Sequence, residues 1–151
     1  MAHVELSLSE AFLPRSCHDA FPSARSSFDR WQAAVADAAE PCLIIDADTV
    51  IRAISLSGCH LLGLGVPTSV IGRALLDGVL RLVDFTAART ELPAEEVDKI
   101  PPLLALSSGR LARGLLRVEP PGAEAATIDA ISTPLWQNGN VAGSLSFFAP
   151  V

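Results

Sequence analysis

Near the C-terminus, the dipeptide Asn138-Gly139 stands between two apolar segments, 124–137 (EAATIDAISTPLWQ) and 140–149 (NVAGSLSFFA). Both residues tolerate the positive φ that a two-residue hairpin turn requires, so the pattern predicts two antiparallel strands. A third apolar segment, 110–119 (RLARGLLRVE), lies upstream across the turn sequence Pro-Pro-Gly-Ala at 120–123. The three together predict an antiparallel meander.

A second strand pair is predicted much earlier. CLII (42–45) and VIRAI (50–54) are short and rich in β-branched residues, and DADT (46–49) joins them. Asp side chains accept local backbone N–H bonds and so favour turns. Asp46 and Asp48 are therefore read as solvated turn groups, in preference to metal or acid–base carboxylates. Before this hairpin, SSFDRWQAAVADAAEP (26–41) predicts a helix that Pro41 ends. Ser26 and Asp29 form a capping-box-like pair, and Phe28, Trp31, Val35 and Ala38 recur at helical spacing. That stripe suits docking on the chain's own sheet and a dimer seam equally.

The middle of the chain is read as helical. Leu56, Cys59 and Leu62 recur every three residues, with Gly63 placed to cap, so Cys59 is expected in the core. Residues 68–85 (TSVIGRALLDGVLRLVDF) suggest short helical turns broken at Gly72 and Gly78. LPAEEVDKI (92–100) suggests a weakly amphipathic turn or helix, and PPLLALSSG (101–109) a helix opened by proline and closed by glycine. The order is helix, two strands, short helices, three strands. Hairpins pair readily and the helical middle must cross one sheet face, so the expected fold is α+β with a five-stranded antiparallel sheet. Residues 26–151 form this domain, and 1–25, with Pro14, Pro22 and several serines, an arm partly ordered or swapped onto a neighbour.

At 151 residues, half of them apolar and 19% charged, the chain can bury about 70% of its unfolded surface and is not a disordered tail. The net charge is −6 and the arginines (Arg81, Arg89, Arg110, Arg113, Arg117) are scattered, so the clustered basic face that nucleic acid requires is missing. Cys17, Cys42 and Cys59 show no CxxC spacing and leave one unpaired in any bridge, which reads as reduced thiols in a cytoplasm. Neither a secretory h-region nor an 18-residue apolar run is present, so neither export nor membrane insertion is expected.

CLIIDADTVIRAIS (42–55), HLLG (60–63), SVIGRALLD (69–77), Pro134, the Asn138-Gly139 turn and VAG (141–143) follow one another in an order that resembles the PAS domain family of sensory and interaction modules. The resemblance covers roughly residues 28–148. It implies the fold just given and a role in signal transduction. Two departures stand out: Ser55 replaces a frequent asparagine, and FFAPV replaces the DIT-like ending that couples many such domains to an effector helix. The expectation is a stand-alone or excised module.

The resemblance also frames the cofactor question. Flavin-binding members carry a cysteine in GxNCRFLQ, whereas SGCHLLG here lacks the asparagine and arginine that grip flavin. Haem-binding members use a histidine on the central helix, and no histidine follows His60. The thiol-anchored photosensors need tyrosine, which this chain lacks. Flavin and haem are not expected. Nor is a metal: adjacent Cys59 and His60 point about 100° apart on a helix, and zinc needs three or four ligands. His3 and His18 sit in the arm.

What remains is the space between sheet and helices, an apolar pocket for a small ligand or a filled core. Small residues such as Gly58, Ala130 and Gly143 leave room there. Ser55, Cys59, His60, Arg73 and Trp136 are the candidate pocket residues, and Phe28, Trp31, Val35 and Ala38 the candidate dimer-helix residues. No GxSxG, HExxH or Walker loop appears, so no enzyme is expected; Asp129 and Asp84 would be the acid–base candidates of one. The leading expectation is a cytoplasmic, homodimeric PAS-type module that senses a small ligand or binds a signalling or transcriptional protein. The alternative is a purely structural dimerisation domain without ligand.

Overall fold

The computed structural model describes residues 26–151. The arm, with His3, Cys17 and His18, lies outside the described residues. Helix α1 (Ser27–Ala36) begins with the expected reciprocal cap: Ser26 Oγ accepts the Asp29 N–H at 3.2 Å and Asp29 Oδ2 accepts the Ser26 N–H at 3.2 Å. Two N-terminal donors are thereby satisfied. The helix stops at Ala36, short of Pro41, because Asp37 leaves helical geometry at the end where the macrodipole disfavours an acid. Ala38 therefore lies beyond the helix but still packs on the same cluster.

The strands are β1 (Cys42–Asp46), β2 (Ile51–Ile54), β3 (Ala112–Val118), β4 (Ala126–Gln137) and β5 (Asn140–Pro150). They form one sheet in the order β2-β1-β5-β4-β3, every neighbour antiparallel. The last strand is thus central and unites the two hairpin groups, running from Cys42 opposite Phe147 to Asp46 opposite Gly143. In the first hairpin Asp46 Oδ1 accepts the N–H groups of Asp48 and Val50 at 2.9 and 3.0 Å, and its other oxygen pairs with Arg52. This is turn chemistry. Asn138 and Gly139 both take positive φ, as the second hairpin requires.

Helices α2 (Leu56–Leu62), α3 (Pro67–Val70), α4 (Ala94–Val97) and α5 (Pro101–Ser108) lie between the two strand groups in sequence. Gly63 and Gly109 close α2 and α5 in the left-handed conformation. Leu56 differs from expectation: it is 53% exposed, while Cys59 and Leu62 are buried. Each three-residue step drifts about 60° around the helix, so Leu56 and Leu62 stand about 120° apart.

Residues 71–85 also differ from the reading of 68–85 as helical turns. Only Pro67–Val70 is helical; 72–75 bond to β2, and 81–83 bond to β3 through Val83 N–H to the Arg117 carbonyl and Glu119 N–H to the Arg81 carbonyl, both 3.0 Å. Val83 also bridges to Glu91, so 82–92 is a small hairpin continuing the sheet beyond β3. Partners 21 to 38 residues away in the chain, together with the positive φ at Gly72 and Gly78, override local helical spacing.

The core is divided by the sheet. On the helix-covered inner face, Leu43, Ile45, Leu116, Val118, Ile128, Ala130 and Phe148 pack with Cys59, Leu62, Leu75 and Leu103. On the outer face, Cys42, Ile44, Ala53, Leu135 and Leu145 pack beneath Phe28 and Val35 of α1. The helical stripe thus docks on its own sheet through Phe28 and Val35, and Trp31 remains 46% exposed.

Candidate functional site

Ser55 is fully buried, and its hydroxyl is committed on every side. Oγ accepts the N–H groups of Cys42 and Gly58 at 3.0 and 3.1 Å and donates to the Glu40 carbonyl at 2.7 Å. It caps α2 and ties the entry of β1 to it. Cys59 is buried beside it in the inner core, where loss of solvation pushes the thiol pKa up. Burial likewise raises Cys42, against a weaker lowering by its Ser55 hydrogen bond. Both thiols are free and protonated at neutral pH.

The other candidates do not converge with these two. His60 and Arg73 are exposed. Trp136 is 53% exposed and lies beside Gly109, past the end of α5. The small residues serve close packing. The side-chain position of Gly58 is closed by the Cys42 carbonyl, and that of Gly143 by the Ile45 carbonyl and the ring of Phe28. Gly143 therefore faces the outer side, under α1, and not the inner space.

Beneath α5 the sheet presents a floor of short side chains. Ser144 Oγ donates to the Pro102 carbonyl at 2.8 Å, and the buried hydroxyls of Ser132 and Ser146 bond each other at 2.6 Å across β4 and β5. Ala105 and Ala112 are buried alongside. The helix thus sits close on the sheet, with each buried hydroxyl satisfied from within the protein.

Open space lies at the margins. A concavity of about 560 Å³ is bounded by Leu62, Leu76, Val79 and Leu80 on one side and by residues 119–123 on the other. Leu62 and Leu80 belong to the inner core, so this space touches it directly. The Arg81–Glu119 ion pair, 3.8 Å apart, stands at its polar rim. None of the five sequence-derived pocket candidates lines it. Its walls come from the 76–81 turns and the Pro120-Pro121-Gly122 turn, whose composition signals a loop and nothing more.

The outer face of the sheet offers a second candidate surface. Helix α1 covers one half. On the other half lies a row of aligned side chains, Phe147 on β5, Ile131 on β4 and Arg113 on β3, and a neighbouring row of Ala149, Asp129 and Leu115. Phe147 is 41% exposed, and Ile131 and Leu115 are exposed as well. Arg113 grips Asp129 with two bonds of 3.2 and 2.6 Å, which holds the carboxyl below its ordinary pKa and raises the guanidinium. Asp84, the other acid–base candidate, is held low by the Thr86 hydroxyl, a turn bond.

Among the described residues no group of three or more His, Cys, Asp or Glu is placed to hold a metal ion, and no helix is long and apolar enough to cross a membrane. No family model matches the sequence, and no curated protein matches it. Solved structures do. The PAS domain of the fruit-fly ELK potassium channel superposes with a TM-score of 0.62 at 11% identity, over 84% of this chain and 98% of that one. A PAS domain from Colwellia psychrerythraea superposes with a TM-score of 0.58 at 12% identity, over 83% of this chain and 98% of that one. VqmA of Vibrio cholerae, described among LuxR-type receptors, gives 0.58 at 16% identity over 84% of this chain and 52% of its own. The chain has the PAS fold: a five-stranded antiparallel sheet with short helices across one face.

Proposed function

We propose that this chain is a sensory and protein-interaction module, not an enzyme, that works as a homodimer and regulates a signalling or transcriptional protein from the cytoplasm. The observation that supports it is the division of the core by a single sheet. One cluster touches a concavity at the 119–123 turn, and the other lies under α1 beside an open apolar half-face. A small ligand in the concavity would contact Leu62 and Leu80, and would shift the module only by binding one packing of α1 more tightly than another.

The dimer contact in this reading is the row of Phe147 and Ile131, with Arg113 and Asp129 beside it. An acid and a base side by side on one patch are self-complementary: about a two-fold axis, each Arg113 meets the Asp129 of a second copy. The domain boundary falls near Ser26, with 1–25 as an arm. Ser55, Cys59, His60, Arg73 and Trp136 do not form the ligand site of this proposal.

A second reading, a dimerisation domain that takes no ligand, is favoured by the close seat of α5 on Ser144, Ser132 and Ser146. Native mass spectrometry of protein purified from its own host separates the two. A bound mass of a few hundred daltons supports the sensor, and a bare dimer supports the scaffold. A bare monomer across the accessible concentration range would overturn both.

A further inference from the structure

Helix α2 meets two distant parts of the molecule with its two ends. Its first turn grips the segment that leaves α1: Ser57 Oγ donates to the Ala39 carbonyl at 2.7 Å, Ser55 Oγ donates to the Glu40 carbonyl at 2.7 Å, and Ser55 N–H donates to the Cys42 carbonyl at 3.0 Å. Its last turn meets the β3–β4 turn. Gly63 closes the helix in the left-handed conformation, and the ring of Pro120 occupies the space that a side chain there would take. Leu62, one residue earlier, lines the 560 Å³ concavity, and so does Pro120.

Between these grips lies a narrow seat. Gly58 has no side chain to separate α2 from β1, and its backbone lies against the Cys42 carbonyl. At seven residues the helix is about 10 Å long, two turns in all, so it tilts on this seat as one body. Pro41 is fixed to the sheet, because Phe148 N–H donates to its carbonyl at 2.9 Å. The adjustable connection is therefore 37–40, and Ala38 within it packs on the outer cluster with Phe28 and Val35. The seat of α1 is set through the same few residues that Ser55 and Ser57 hold. Of these two serines Ser55 is fully buried and Ser57 half-buried. The Ser57–Ala39 bond can be exchanged for bonds to water at small cost, whereas the Ser55 bonds cannot.

We infer that α2 couples the concavity to α1, with Ser57 as the positioning residue at the α1 end. A molecule seated beside Leu62 and Pro120 tilts the helix on Gly58, which opens Ser57 from Ala39 and loosens α1 on the outer cluster. Coupling of this kind requires an element with two arrangements that both ends bias. The Ser57–Ala39 bond, made or exchanged for water, supplies them. The inference rests on the proposed ligand site for its trigger alone; the linkage belongs to the fold and is tested without a ligand.

Pro120→Gly empties the space on Gly63 and stands in for a displaced turn. Amide hydrogen exchange read by NMR on the full chain follows the far end. The Val35 amide, in the last turn of α1, is expected to exchange about fivefold faster or more in Pro120→Gly, while Ala130 and Ile131 of the doubly paired β4 keep their rates. Ser57→Ala is expected to accelerate Val35 as well, and the double variant to go no further than Ser57→Ala alone. Unchanged Val35 exchange in Pro120→Gly would overturn the inference. So would an acceleration that Ala130 and Ile131 share, or one that adds in full to that of Ser57→Ala. A concavity that takes no ligand would instead sink the sensor reading and leave the linkage standing.

Discussion

Ser144 on β5 donates its hydroxyl to the carbonyl of Pro102 in the first turn of α5, 2.8 Å away and fully buried. This one bond, with the Ser132–Ser146 pair next to it, sets how closely the main helix of the inner face approaches the sheet. Removing the hydroxyl loses a buried hydrogen bond, so Ser144→Ala is expected to cost about 1 kcal/mol in urea unfolding. Ser144→Leu is expected to cost more, about 1–3 kcal/mol, because the helix must lift off its floor. If Ser144→Leu were neutral, the space under α5 would be larger than the short side chains indicate.

Ser55 is expected to be the more sensitive serine. Its Oγ is at once the cap of α2 and the acceptor for the buried Cys42 N–H. Loss of a cap costs about 1 kcal/mol and an orphaned buried donor about 1–3 kcal/mol, so Ser55→Ala is expected to destabilise by roughly 2–4 kcal/mol. Thermal or urea denaturation measures it. A loss under 1 kcal/mol would mean that water or Ser57 takes over the Cys42 N–H.

These two serines also show what sequence alone discloses. The hairpins were legible because Asp46 and Asn138-Gly139 act within four residues, and the Ser26–Asp29 cap because it closes within one turn. The 82–92 hairpin was not legible: its alternation is short, and its bonds run to Arg117 and Glu119. Of the site, residue chemistry was legible but direction was not. Ser55 has the polar hydroxyl a pocket needs, yet spends it on local backbone, and Gly143 leaves space on the face opposite to the one expected. The 560 Å³ concavity is walled by turn residues whose packing depends on where β3 and β4 place their connecting loop.

The outer half-face yields a prediction on assembly. A charge in place of the central aromatic must be desolvated in any dimer built there, so Phe147→Glu is expected to raise the dimer dissociation constant about 30-fold or more. Light scattering after size exclusion reads the mass, and circular dichroism verifies that the 41% exposed position tolerates the change. An unchanged dimer would move the interface elsewhere.

The buried thiols make the chain sensitive to alkali. Burial raises Cys42 and Cys59 in the folded state above the ordinary value of 9.0. A raised folded pKa contributes stability that is complete below the unfolded pKa and is lost as pH rises from about 9 through the folded values. In a C17S background, Cys42 and Cys59 are expected to react slowly with a thiol reagent at pH 8 and quickly once unfolded. Fast native labelling would place them nearer to solvent.

Acid acts on the opposite sign through Asp129. The Arg113 guanidinium holds this carboxyl below 3.8, so the pair contributes while Asp129 is ionised. That contribution is complete above the unfolded pKa and is lost as pH falls through the lowered folded value. Both groups face solvent, so the effect on stability is small and weakens with salt. The midpoint is the sharper readout. Titration of the Asp129 carboxyl by NMR is expected to fall below 3.8 in the wild-type chain and to return toward it in Arg113→Gln. If the midpoint stays low in Arg113→Gln, the lowering comes from another source, and the self-complementary Arg113–Asp129 contact loses its basis.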